Sequence, residues 1–512
     1  MAGREPAEKL PQRRVVALDV LAIFLEQPRG VILLPFAVVP VVIGIGEEGA
    51  RPALEPGPMA PQRPGVMAGF LAAGDWPTGE ACLSLDVWTP GADGGRRPVM
   101  VWIHGGGFIT GSGALPVYDG SLLAREGDVV VVTLSYRLGA LGFLHLPELA
   151  EEGGATGNFG LLDQIAALEW VRENIDRFGG DPDRVTLFAQ SAGAMCAGAL
   201  LSAPRARDRF ARLILQSGAA QNVHVPETAQ RVREFFCEAA GVTAAPGPDT
   251  VARLRALPTD AVLEAQARTI EALRAEIAEP AFQPVVDGDL LPTLPRLAIE
   301  RAEVSSVPLL VGTNRDEWKF YGLGDPKAAL LDDAGLLRRF RRGLPGEDAS
   351  GRAWAERVVQ VYREARDGRA SVEARELWFA IQTDRWFRFP AMRLAERHAL
   401  HQPDTHAYLF TWSTPAMNGM LGSCHSLEIP FVFGSVGHPS LQAIVPSEPG
   451  VNELSRRMRD TWLRFAGGDA PDWPAYERER RATMLFGDTC GVELAPAEPE
   501  RAFWEEIVDQ VG

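Results

Sequence analysis

Lysine is nearly missing from this chain, occurring only as Lys9, Lys319 and Lys327, while arginine is abundant. A GC-rich genome imposes that bias through codon choice, which points to a bacterial source. Charge of positive sign is also short: the formal net charge is −16 over 512 residues, and no basic stripe runs anywhere along the chain. An acidic surface repels nucleic-acid phosphates and anionic membranes, so neither is expected as a partner. Cysteine is sparse, with five residues at 82, 196, 237, 424 and 490 and no C-x-x-C pair. This excludes the usual zinc and dithiol spacings and reads as free thiols in a reducing cytoplasm. Long apolar runs are absent as well. "VVALDVLAIFL" is broken by Asp19, and "VILLPFAVVPVVIGI" by Pro35 and Pro40. Neither reaches the roughly 18 uninterrupted apolar residues of a membrane span, and no A-x-A-like cleavage site follows. The two runs read as a structural strand region, and no membrane insertion is expected. No internal repeat or low-complexity linker is visible.

What remains is an ordinary globular composition, 46% hydrophobic and 23% charged, with enough apolar residues for a large core. From residue 98 onward, short apolar stretches rich in β-branched residues alternate with helical patterns, which predicts a parallel or mixed sheet covered on both faces. The strand candidates are "PVMVWIH" (98–104), "DVVVVTL" (128–134), "VTLFA" (185–189), "RLILQ" (212–216), "PLLVGT" (308–313) and "HAYLFTW" (406–412). Between the second and third, Ile165, Leu168, Val171, Ile175 and Phe178 recur at helical spacing and Gly179-Gly180 closes the run, so a crossover helix is expected. Ala- and Arg-rich helical stretches interrupt the alternation over 226–300 and 325–400, and insertions at the carboxyl ends of strands commonly wall a pocket. A last amphipathic helix places Leu454, Met458, Trp462 and Phe465 on one face.

The chemistry concentrates at "VTLFAQSAGAMCAGALL", residues 185–201, where a buried strand runs into a small-residue helix with Ser191 at the corner. A G-x-S-x-G elbow exposes a nucleophilic hydroxyl at the top of a sheet, with the helix N-terminus behind it. Here the motif reads A-Q-S-A-G, and Ala189 is the mildest departure from glycine that crowding permits. The second element, "VWIHGGGFITGSG" (101–113), also follows a buried strand. Such glycine loops bring backbone N–H groups close to a reacting oxygen. Gly106, Gly107 and Ala192 are the candidate oxyanion donors, with His104 bracing the loop. A nucleophilic serine needs a base and an orienting acid. His425, in "LGSCHSLEIPFVFG" after a strand, is the candidate base, whereas His398, His401 and His406 lie in a polar stretch and read as surface residues. "PLLVGTNRDEWKF" delivers Asp316 and Glu317 to the same edge, and spacing alone does not choose between them.

Taken together, these stretches resemble the type-B carboxylesterase family, in particular its bacterial para-nitrobenzyl esterase-like members. "CLSLDVWTP", "VVVTLSYRLGALGFL", "GNFGLLDQIAALEWVRENIDRFGGDPDRVTLFAQSAGA" and "LILQSG" join the motifs above in the family's order over about residues 60–505. The resemblance implies an α/β-hydrolase fold with a mostly parallel central sheet, flanking helices and helical insertions around the active site. It implies a Ser191–His425–Glu317 triad, a small-molecule ester substrate and an acyl-enzyme, with no metal or cofactor. An amidase or carbamate hydrolase could use the same triad. A non-catalytic binding protein on this fold would be expected to lack one of its members. The chain departs from the family pattern at Gln190, where glutamate is usual, at Trp318, where glycine is usual, and at Cys424, where a small residue is usual. Gln190 is expected to weaken any preference for cationic substrates, and Cys424 to pack as a small hydrophobe. The upstream cysteine that pairs with the equivalent of Cys82 in secreted relatives is missing, so Cys82 is expected to be free. Residues 1–50 are expected to form an atypical N-terminal segment, and 51–510 one catalytic domain.

Overall fold

A computed structural model of the chain describes residues 37–41, 56–64, 76–242, 247–274, 276–277, 279–340 and 349–511. Among the described residues, ten strands form one sheet: β1 (Ala37–Val41), β2 (Leu85–Thr89), β3 (Arg97–Ile103), β4 (Val130–Leu134), β5 (Gly180–Gln190), β6 (Arg212–Gln216), β7 (Leu309–Asn314), β8 (Thr405–Phe410), β9 (Ala482–Phe486) and β10 (Gly491–Leu494). Their spatial order is β1-β2-β4-β3-β5-β6-β7-β8-β9-β10. From β4 through β9 every neighbouring pair is parallel, while β1, β2 and β10 join antiparallel at the two edges. All six strands read from the sequence are present, with ends shifted by a few residues. β1 lies inside the second N-terminal apolar run, and the rest of that run falls outside the described residues.

Strand periodicity sorts the side chains onto two faces. Val99, Val101 and Ile103 of β3 join one core cluster with Val130, Val132, Leu187 and Leu215. Met100 and Trp102 join the other with Val131, Phe188, Ile214 and Phe410. Because both faces are buried, these strands read as continuous apolar runs, without the alternation of a half-exposed sheet. The first face is covered by α1 (Phe159–Asn174) and α2 (Ala192–Leu200). The predicted stripe of α1 is wholly buried, although Ile175 and Phe178 lie in a 3-10 turn that follows it, and Gly179 leaves that turn at φ 75°. The second face is covered by the last long helix, Pro449–Gly467, which inserts Leu454, Met458, Trp462 and Phe465.

The chain between β6 and β7 and between β7 and β8 carries the helical insertions. The first includes Pro226–Ala239 and Thr259–Leu273. The second includes α3 (Trp318–Gly322), α4 (Ala374–Thr383), a π-helical turn at Asp384–Arg388 and α5 (Phe389–Ala399). Both insertions leave from carboxyl ends of strands, the edge of an open α/β sheet where ligands bind.

Two expectations about histidine are corrected here. His398 and His406 are buried at 1% and 3% exposure, and only His401 of the three is exposed. The polar run is the end of α5 and the start of β8, an interior strand between β7 and β9, so neighbours close over it. His398 pairs through Nε2 with the Val307 carbonyl at 2.8 Å, and His406 with Asp404 Oδ1 at 3.0 Å. Burial holds the pKa of both imidazoles below the ordinary value.

Candidate active site

Ser191 sits between the end of β5 and the first residue of α2 with φ 54° and ψ −128°, a conformation that L-residues rarely adopt. The turn is held by its neighbours: Ser191 N–H donates to the Gln216 carbonyl at 2.9 Å, and its own carbonyl accepts from Met195 N–H at 2.9 Å. Small residues follow from the packing. A Cβ on Gly193 would stand 2.3 Å from the Ile103 carbonyl oxygen and 2.5 Å from that of His104, so the helix passes too close to the end of β3 for any side chain. Ala189, by contrast, is fully buried in the core with its methyl accommodated.

Ser191, His425 and Glu317, separated by 234 and 108 residues of chain, meet in one hydrogen-bonded line. Ser191 Oγ is 2.8 Å from His425 Nε2, and His425 Nδ1 is 2.6 Å from Glu317 Oε2. With Glu317 as acceptor, Nδ1 carries the proton and Nε2 is free to accept the serine hydroxyl. Glu317 has no exposure, and its second oxygen accepts Asn314 N–H at 2.7 Å, which fixes the carboxylate. Asp316, the other acid open in the sequence, turns elsewhere: it accepts Ser423 N–H at 3.0 Å and faces Arg315 and Lys319.

The glycine loop lies on the other side of Ser191. Gly106 and Gly107 have φ 125° and 61°, and the Gly106 carbonyl accepts Ile109 and Thr110 N–H, so the loop is a closed turn. A Cβ on Gly106 would fall 1.9 Å from the Thr110 carbonyl oxygen. Among the described residues, the N–H groups of Gly106, Gly107 and Ala192 have no protein acceptor. Gly107 and Ala192 line the cavity that contains Ser191, and Gly106 stands next to Gly107 in the same turn. His104 lies beneath the loop, its Nδ1 2.7 Å from the Gly105 carbonyl and its ring stacked on Tyr136 at 4.5 Å. Burial pushes its pKa down to about 4, so it stays neutral.

The cavity at Ser191 holds about 320 Å³. Two larger ones, of about 520 and 530 Å³, are lined largely by charged side chains and do not reach the nucleophile. Ile270, Leu273 and Ile277 of the first insertion form one side, and Trp318, Tyr321, Trp386 and Phe387 of the second form the other. The four rings pack as a wall: Trp318 stacks on Trp386 at 6.1 Å, Tyr321 on Phe387 at 6.0 Å, and Phe387 lies 4.8 Å from the His425 ring. Trp318, the departure noted after the acid, thus faces the cavity as part of this wall.

Other residues here were not singled out in the sequence. Glu428, three residues after His425 and just before the short helix Ile429–Phe433, is fully buried and accepts Asn314 Nδ2 at 2.6 Å and Gln216 Nε2 at 3.2 Å. Gln216 in turn accepts the Trp462 indole N–H at 3.0 Å. Burial, followed by the charge of Glu317, raises the Glu428 pKa to about 7. The three-residue spacing of Asn314–Glu317 and of His425–Glu428 was the available signal. Gln190 donates through Nε2 to Ser426 Oγ at 2.9 Å and comes within 3.3 Å of His425 Nε2. Cys424 is buried in the core, where desolvation raises its pKa and keeps it a thiol. All five cysteines, Cys82 included, are free. Among the described residues, no three His, Cys, Asp or Glu side chains are placed to share a metal ion, and no helix is long and apolar enough to cross a membrane.

A mostly parallel sheet, a strained serine corner at a strand's carboxyl end and an adjacent glycine loop define an α/β-hydrolase. The profile of the carboxylesterase family matches residues 47–504, and the chain belongs to that family. It is 35% identical to the para-nitrobenzyl esterase of Bacillus subtilis over 427 residues, 82% of each chain. It is 34% identical to the phenmedipham hydrolase of Pseudarthrobacter oxydans over 88% of each. Among solved structures, a Geobacillus stearothermophilus carboxylesterase superposes with a TM-score of 0.75 at 37% identity, covering 89% of this chain and 90% of the other. The protein is a carboxylic ester hydrolase acting on small-molecule esters.

Proposed function

We propose that Ser191, His425 and Glu317 carry this hydrolysis through an acyl-enzyme. The observation that supports the reading most is the unbroken line of two hydrogen bonds from Ser191 Oγ through His425 to the buried Glu317. In acylation, Ser191 Oγ attacks the ester carbonyl while His425 Nε2 takes its proton, and the imidazolium formed is stabilised by Glu317. The carbonyl oxygen, now an anion, is received by the N–H groups of Gly106, Gly107 and Ala192, which are otherwise unbonded. His425 then protonates the departing alcohol. Water repeats the sequence in reverse, and the acid is released.

The mainly aromatic and aliphatic cavity wall, whose charged residues are the oppositely charged Arg274 and Glu279, supports neutral acyl or aryl esters as substrates. Residues 51–510 act as one catalytic domain in this reading. The five free thiols support a cytoplasmic location, and the net charge of −16 supports a protein without nucleic-acid partners. The test is a parallel assay of ester, anilide and carbamate substrates sharing one acyl group, together with organophosphate labelling. The ester should turn over fastest, and the label should map to Ser191. Hydrolysis that survives without a label on Ser191 overturns the reading.

Gln190 bears on selectivity. Its amide is neutral and hydrogen-bonded beside the triad, so the cleft lacks the negative charge that a carboxylate would place there. Gln190→Glu should raise the rate on a choline ester relative to a neutral ester of the same acid by roughly three- to tenfold. An unchanged ratio would show that position 190 does not set charge preference.

A further inference from the structure

Two sides of Ser191 have different tasks in an ester cleavage. The carbonyl oxygen belongs on the side of Gly107 and Ala192, whereas the leaving oxygen belongs where His425 Nε2 can hand it a proton. Tyr321 stands on this second side. Its ring centroid is 5.4 Å from that of His425, it stacks on Phe387, and Phe387 itself lies against His425 at 4.8 Å. Tyr321 lines the same cavity as Ser191 and is 38% exposed. Desolvation, followed by the charge of Glu317, raises the phenol pKa above its ordinary value, and the nearby Ser191 hydroxyl offsets only part of this. Tyr321 is therefore a protonated donor at neutral pH.

We propose that Tyr321 is a further catalytic residue, donating a hydrogen bond to the leaving-group oxygen of the ester. As Ser191 Oγ forms its bond to the carbonyl carbon, the phenol, which lines the same cavity beside His425, donates to the adjacent ester oxygen. That oxygen gains charge as its bond to carbon breaks and the bonding electron pair moves onto it. The proton it acquires comes from His425 Nε2, and Tyr321 keeps its own. A donor of this kind matters most when the leaving alcohol is a strong base and little when it is a stabilised phenolate.

The inference rests on Ser191 being the nucleophile, and the experiment separates the two. Acetate esters whose leaving groups run from para-nitrophenol to ethanol are assayed with the native enzyme and with Tyr321→Phe, which removes a single oxygen from a partly exposed ring. The variant should lose about tenfold in kcat/KM on the ethyl ester and about twofold or less on the para-nitrophenyl ester, giving a steeper dependence on leaving-group pKa. A residue that only packs the wall would lower all rates together or raise KM alone. An equal loss across the series, or no loss, overturns the role of Tyr321 while leaving the nucleophile untouched; activity surviving in Ser191→Ala would instead overturn the reading beneath it.

Discussion

Ser191→Ala should lower kcat on para-nitrophenyl esters by about 10⁵- to 10⁶-fold, the loss that follows removal of a triad nucleophile. The fold should be untouched, because Ser191 holds its corner through backbone groups: its N–H bonds to the Gln216 carbonyl, and its carbonyl to Met195 N–H. The small remaining rate would come from the N–H groups of the glycine loop and Ala192, which still face the cavity. Alanine fits the space, but the positive φ of 54° remains strained for it as for serine. Steady-state assays with circular dichroism and thermal melting check both halves. A native Tm with residual activity above about one part in 10³ would show that another group attacks the ester.

Glu317→Gln should cost about 10⁴-fold in kcat while preserving shape and volume. Its consequence follows from counting donors. Asn314 N–H needs an acceptor at one position of the side chain, and His425 Nδ1–H needs one at the other. A carboxylate supplies two, whereas the amide supplies one oxygen and one NH2. If the amide oxygen keeps Asn314, its NH2 confronts Nδ1, and the imidazole is driven to the tautomer with the proton on Nε2. That nitrogen then cannot accept the Ser191 hydroxyl. Asp316→Asn is the matched control, since Asp316 bonds to Ser423 N–H and to surface cations and never reaches the imidazole. It should reduce kcat by less than about tenfold, a surface-pair effect. Comparable losses in the two variants would break the assignment of the acid to Glu317.

The strands were legible because both faces of the sheet are buried. Val99 to Ile103 and Val130 to Leu134 have no polar side to interrupt the apolar run, apart from Thr133, so composition alone marks them. The helix Pro449–Gly467 was legible because it presents one apolar stripe to one face, and α1 because Ile165, Leu168 and Val171 recur at helical spacing on its buried side. β9 and β10 were not: β10 is an edge strand exposed along its length, where nothing requires apolar residues. His398 and His406 were misplaced for the converse reason. Polarity suggests the surface, but a polar ring is tolerated inside when an acceptor such as the Val307 carbonyl or Asp404 meets it.

By itself the sequence determined the chemistry that is local in the chain. The corner at Ser191 and the glycine loop are backbone conformations, written in adjacent small residues because only those residues permit them. The choice between Asp316 and Glu317 was of another kind. Adjacent residues diverge as the strand ends, and which carboxylate meets His425 depends on a loop 108 residues further on. The ring wall of Trp318, Tyr321, Trp386 and Phe387 and the buried Glu428 were likewise decided only by the tertiary structure. Each is a meeting of side chains from separate elements, and chain spacing does not encode where two remote side chains point once the sheet and its insertions close over them.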